Sequence, residues 1–144
     1  MTKDEYYLGI AKAVAAKSTC LCKHYGAVIV KDDTIISTGF NGPARHESHC
    51  IKCTKTSKGK DVEAYLSCPA IHAEQNAMLN ASRNEMLESK MYLYGFDVKT
   101  NKEINAIPCE ICFRLLKNSG ISTVIARDGI CAIRGEDGIL RRIA

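Results

Sequence analysis

Cys68-Pro69-Ala70-Ile71-His72-Ala73-Glu74 and a downstream complement, Pro108-Cys109-Glu110-Ile111-Cys112, carry the residues around which the chain is organised. One His, two Cys three residues apart and a Glu that need not be a ligand are the parts of a catalytic zinc site. Zinc takes imidazole and thiolate ligands tetrahedrally, and three protein ligands leave a fourth position open for water. Pro69 suits a helix entry, and Ala73-Glu74-Gln75-Asn76-Ala77-Met78-Leu79 continues with good helix formers, so a helix is expected there and on to about Asn84. Pro108 opens a second helix, from Glu110 to Lys117, and Cys109 and Cys112 share one face of its first turn at i and i+3. The positive end of that helix dipole favours the thiolate form a metal requires. A structural zinc knot is the plainer reading of a lone Cys-x-x-Cys. Glu74 decides against it, because hydrolysis needs a proton carrier beside the metal and a structural site does not.

Upstream, Tyr7, Ile10, Ala11 and Val14 recur at helical spacing between Lys3 and Lys17. The apolar runs Gly26 to Val30 and Thr34 to Phe40, separated by Lys31-Asp32-Asp33, read as an antiparallel hairpin. Asn41-Gly42-Pro43 then opens a polar stretch reaching Ser67. A loop of that length buries little to offset its ordering entropy. A second zinc supplies a reason for it: Cys50 and Cys53 have metal spacing, Cys20 and Cys68 lie at its approaches, and His49 is a substitute ligand. The alternative is that Cys20 is a buried thiol and the Cys-x-x-Cys incidental.

Downstream, Met91 to Phe96 reads as a third strand and Ile121 to Ala126 as a fourth, with Gly120 closing the helix between them. Asp97 to Ile107 intervenes, as a small hairpin turning at Asn101-Lys102. The tail after Arg127 reads only as a short strand or terminal helix. Helix, two strands, helix, strand, helix, strand is an α/β order, with a mixed sheet and the two metal-bearing helices side by side.

At 144 residues the chain is expected to form one domain. No apolar run is long enough to span a membrane, and Met1-Thr2-Lys3-Asp4-Glu5 does not begin a signal peptide, so a cytoplasmic location is expected. In that compartment the eight Cys point to metal rather than to disulfides. The formal charge of +4 invites a nucleic-acid reading. Thiolates on two zinc ions would reduce it to roughly +1, and no basic stripe with interleaved aromatics is present, so no nucleic-acid partner is expected.

His-x-Glu followed by Pro-Cys-x-x-Cys is the signature of zinc nucleobase deaminases. The chain resembles the deoxycytidylate (dCMP) deaminase family of the cytidine deaminase superfamily from about Tyr6 to Ala126, leaving the tail outside. Lys17-Ser18-Thr19-Cys20, Gly26 to Val30, Ile35 to Pro43 and His72-Ala73-Glu74-Gln75-Asn76-Ala77 with Asn80-Ala81 carry the resemblance. Gly39-Phe40-Asn41-Gly42, followed by Cys50, narrows it to the dCMP branch. The resemblance implies a three-layer α/β/α fold with a mixed central sheet, and hydrolysis of dCMP to dUMP with release of ammonia. It implies a catalytic zinc on His72, Cys109 and Cys112, with Glu74 carrying protons from water to ring N3 and the departing amino group. By the same resemblance the Ala73 backbone N–H serves the ring carbonyl and Asn41 the sugar, although an Asn before Gly42 is also an ordinary turn residue. Tyr92 and Tyr94 receive no catalytic role. A homo-oligomer is implied too, with Arg83 at a basic position near subunit contacts. Asp97 to Ile107 departs from the family pattern, as does the loop after Cys53. The alternatives are a deaminase for another base, nucleoside or nucleotide (cytidine, dCTP, guanine, or a base in a polymer) and a zinc-binding module without turnover, against which Glu74 argues.

Overall fold

A computed structural model describes residues 1–53 and 66–143. Alternation along one central strand sets its layers. Strand β1 (Lys23–Lys31) sends Ala27 and Ile29 into one core cluster and Val28 and Val30 into another. Its antiparallel neighbour β3 (Lys90–Asp97) does the same, with Met91 and Leu93 on the first side and Tyr92 on the second. Helix α1 (Lys3–Ala15), started by a Thr2–Glu5 capping box, lays Tyr7 and Ala11 on the second side. Gly26 permits that approach, since a Cβ there would collide with Ala11 O and Ala15 N. Helices α2 (Ala73–Leu79) and α4 (Glu110–Ser119) cover the other side through Ala73, Ala77, Phe113 and Leu116. Leu116 is fully buried, a gain of about 1.5–3 kcal/mol. The three layers are therefore α/β/α, as the resemblance implies.

Among the described residues, seven strands form the sheet. Strand β2 (Thr34–Phe40) turns back from β1 through Asp32 and Asp33, both at positive φ as a primed hairpin turn requires. Strand β5 (Thr123–Ala126) pairs parallel to β3, whereas the other pairings are antiparallel, so the sheet is mixed as expected.

Two local expectations change, and the hairpin expected between Asp97 and Ile107 is present, with its turn at 98–101. The helix expected to reach Asn84 stops at Leu79, because the Asn80 side chain donates to Thr38 O (2.9 Å) and Ser82 caps a separate turn, α3 (Arg83–Met86). The segment Asp97 to Ile107 is a short hairpin: Asp97 accepts from the N–H groups of Lys99 and Thr100, and β4 (Lys102–Ile104) returns along β3. The unplaced tail folds into a hairpin, β6 (Gly129–Arg134) and β7 (Leu140–Arg142), which extends the sheet from β5. Part of the long polar loop expected before Ser67 falls on 54–65, outside the described residues.

Candidate active site and metal centre

Helix α2 is strapped to β2 along its length, and the strapping fixes His72 and Glu74. Ser37 donates to Ala77 O (2.8 Å), Asn76 to Phe40 O (2.8 Å), and Ile71 and Gly42 exchange backbone bonds. Gly39 lets the two elements meet, since a Cβ there would collide with Ala73 O and Ala77 N. His72 sits at the N-cap, where its N–H donates to Gln75 Oε1 (2.9 Å). Cys109 occupies the same position on α4, and Cys112 lies fully buried in that helix's first turn.

These caps bring three ligand groups together. His72 Nδ1 lies 3.6 Å from Cys109 Sγ and 3.2 Å from Cys112 Sγ. Tetrahedral zinc with ordinary bond lengths places sulfur and nitrogen about 3.5 Å apart, so the three donors fit the ion. Cys112 is held well above the usual thiol range, first by its contact with Cys109, then by burial and by Glu74. Metal binding would therefore release a proton here. Glu74 is 8% exposed. Burial pushes its carboxyl upward, opposed in part by its own backbone N–H and by His72. A buried acid beside a metal-ligand cluster is suited to holding and passing a proton.

The cluster opens on a cavity of about 500 Å³, within the ~300–1,000 Å³ range of small-molecule sites. Leu93, Ala106 and Ile107 give it apolar walls, while Lys23, Asn41 and Glu74 supply polar groups.

Residues 1–127 match the family described as Cytidine and deoxycytidylate deaminase zinc-binding region. The chain belongs to that family. It is 35% identical over 128 residues to a deoxycytidylate deaminase of Mycobacterium phage D29, covering 85% of this chain and 91% of that protein. A Saccharomyces cerevisiae deoxycytidylate deaminase is 32% identical over 124 residues, but this chain spans only 36% of it. In fold, dCMP deaminase from the cyanophage S-TIM5 aligns with TM-score 0.61 at 22% identity, over 85% of this chain and 79% of that one. Cytidine deaminase from Burkholderia pseudomallei aligns with TM-score 0.55 at 18% identity over all of this chain, terminal hairpin included, and 93% of that one.

The other residues singled out in the sequence of this family member fall in two places. Ala73 opens α2, where its N–H has no intrahelical acceptor. Asn41 lines the cavity, but its side chain also completes the start of β1: Oδ1 accepts from Tyr25 N–H and Nδ2 donates to Lys23 O, both at 2.9 Å. One amide hydrogen and one lone pair remain for a ligand. Cys20, Cys50, Cys53 and Cys68 all line a second, small cavity of about 30 Å³. Burial raises the Cys50 thiol, as do the neighbouring thiols of Cys68, Cys20 and Cys53. Among the described residues, however, only His72, Cys109 and Cys112 bring three donor atoms within 4.8 Å of one another. His49 instead bonds Thr19 Oγ1 at 2.8 Å.

The structure adds cavity residues that the sequence did not flag. Tyr25 lies over Gly95, where a Cβ would meet its ring at 2.7 Å. Burial and the Glu74 carboxylate push its hydroxyl up to about 12. Its signal was slight: a Tyr immediately before the small and aliphatic run Gly26 to Val30. Tyr92, by contrast, bonds Asp4 (2.8 Å) on the α1 side, in keeping with its structural reading.

Proposed function

We propose that the protein is a single-domain, zinc-dependent deaminase that hydrolyses dCMP to dUMP and ammonia. One observation carries the reading: His72 faces two thiols at zinc-compatible distances, with a buried Glu74 two residues on, at the wall of a nucleotide-sized cavity. His72, Cys109 and Cys112 would hold a zinc ion, which supplies an activated water when bound. Glu74 would accept a proton from that water and deliver it to N3 of the cytosine ring, then take the proton of the new C4 hydroxyl and pass it to the departing amino group. The C4–N bond breaks, a C4 carbonyl forms, and water is consumed. Ala73 N–H donates to the ring carbonyl, and the free valences of Asn41 serve the sugar. The substrate assignment follows the phage D29 and S-TIM5 proteins named above.

A second, structural zinc on Cys20, Cys50, Cys53 and Cys68 fits the gathering of these thiols around one small cavity. Thiol-rich sites of this kind suit a reducing cytoplasm. No helix among the described residues is long and apolar enough to cross a membrane. The protein works as a homo-oligomer, with Ile111 and Leu115, exposed one turn apart on α4, as apolar contact residues. Sedimentation showing only monomer at micromolar concentration would overturn that assembly.

The test of the substrate is ammonia release by zinc-loaded protein from dCMP, dCTP, deoxycytidine, cytosine and guanine. The highest kcat/KM is expected on dCMP. Activity on guanine alone would overturn the cytosine assignment.

A further inference from the structure

The terminal hairpin lies beyond the residues that match the family, yet two of its arginines grip the helix that carries both metal thiols. Arg134 holds the C-terminal end of α4, donating to Leu116 O (3.1 Å) and Lys117 O (3.2 Å). A cation is favourable there, because the carbonyls at that end are unsatisfied and the dipole is negative. Arg142 sits at the opposite end. It donates to Pro108 O (2.8 Å), contacts Glu110 Oε1 (3.4 Å), and its guanidinium lies 4.2 Å from the centre of the Phe113 ring.

The Arg142 contacts bracket the ligands in sequence: Pro108 precedes Cys109, and Phe113 follows Cys112. A planar guanidinium that bonds one and stacks on the other fixes the turn between them. The N-terminal end of a helix repels cations, and the Glu110 carboxylate at 3.4 Å offsets that repulsion. Register holds Arg142 in place, opposite Ala132 on β6, with Ile143 N–H donating to Cys131 O (2.9 Å).

We propose that Arg142 is a positioning residue of the metal centre, holding Cys109 and Cys112 at the spacing that His72 completes. The proposal rests on the zinc reading above. Cadmium-113 NMR of the loaded protein tests it, because a site with two thiolates and one imidazole resonates apart from a four-thiolate site. Chelator is added while the two-thiolate resonance is followed. Arg142→Ala is expected to lose it at about tenfold lower chelator than the parent, the scale of lost ligand-orienting contacts. Arg134→Ala should melt earlier but retain cadmium as the parent does. Parent protein with no two-thiolate resonance would overturn the zinc reading and this proposal together. Parent with the resonance, and equal retention in Arg142→Ala, would overturn the positioning role alone, as would equal losses in both variants. If Arg142→Ala does not fold, Arg142→Lys decides: weaker retention at an unchanged melting temperature supports the role, and parental retention overturns it.

Discussion

Replacing Glu74 by Gln isolates proton transfer from metal binding. The side chain is buried and stands two residues from a ligand without belonging to the three-donor cluster. Gln matches its volume, so fold and zinc content should persist. A positioned acid–base group contributes roughly two to four orders of magnitude, or about 3–5 kcal/mol of barrier. The assay is ammonia release from saturating dCMP by variant and parent of equal zinc content. A second readout comes from linkage. Burial raises the Glu74 pKa in the metal-free fold, so the folded state binds that proton more tightly than the unfolded chain does. The stability this contributes is complete below the ordinary carboxylate pKa of about 4.3, and is lost as pH rises through the folded value. Gln has no charge to bury. Metal-free Glu74→Gln should therefore be more stable than metal-free parent at neutral pH, the advantage shrinking in acid. Near-parental turnover in a zinc-replete variant would remove Glu74 from the mechanism.

Two further outcomes are expected. Cys68→Ser should lower the zinc content from two ions per chain towards one and lower the melting temperature; one zinc in untreated parent protein, prepared without chelator, would eliminate the second site. Gly39→Ala should destabilise by about 1–3 kcal/mol, because its methyl would meet Ala73 O and Ala77 N, and an unchanged melting temperature would contradict that close approach.

The metal centre was legible because its spacing is local. His72 and Glu74 lie within one turn, Cys109 and Cys112 within another, and a proline precedes each stretch. The layers were legible too, since Val28 and Val30 alternate with Ala27 and Ile29 along one strand. The end of α2 was readable but missed: Ser82-Arg83-Asn84-Glu85 is a capping-box pattern that starts a new turn. The tail was harder. Its large apolar residues Ile130 and Ile133 are exposed while the small Ala132 is buried, so hydrophobicity marks the wrong positions in β6. The role of Arg142 was not readable at all, because a strand register brings it to Pro108 from 34 residues away. Asn41 shows the same limit in reverse. An Asn before Gly reads as a turn, and only the fold reveals that its amide also closes the start of β1.

On the proposed reading the cavity takes a free deoxynucleotide rather than a base in a polymer. A formal charge of +4, reduced further by zinc-bound thiolates, is small for a phosphate-neutralising surface. With no Trp and an aromatic content of 6%, the chain also has few residues with which to stack a flipped base. The direct measurement is kcat/KM of zinc-loaded protein on dCMP beside a short single-stranded oligonucleotide containing cytosine. Clear preference for dCMP is expected, with dUMP and ammonia formed in equal amounts; equal or better activity on the oligonucleotide would refute a site for the free nucleotide.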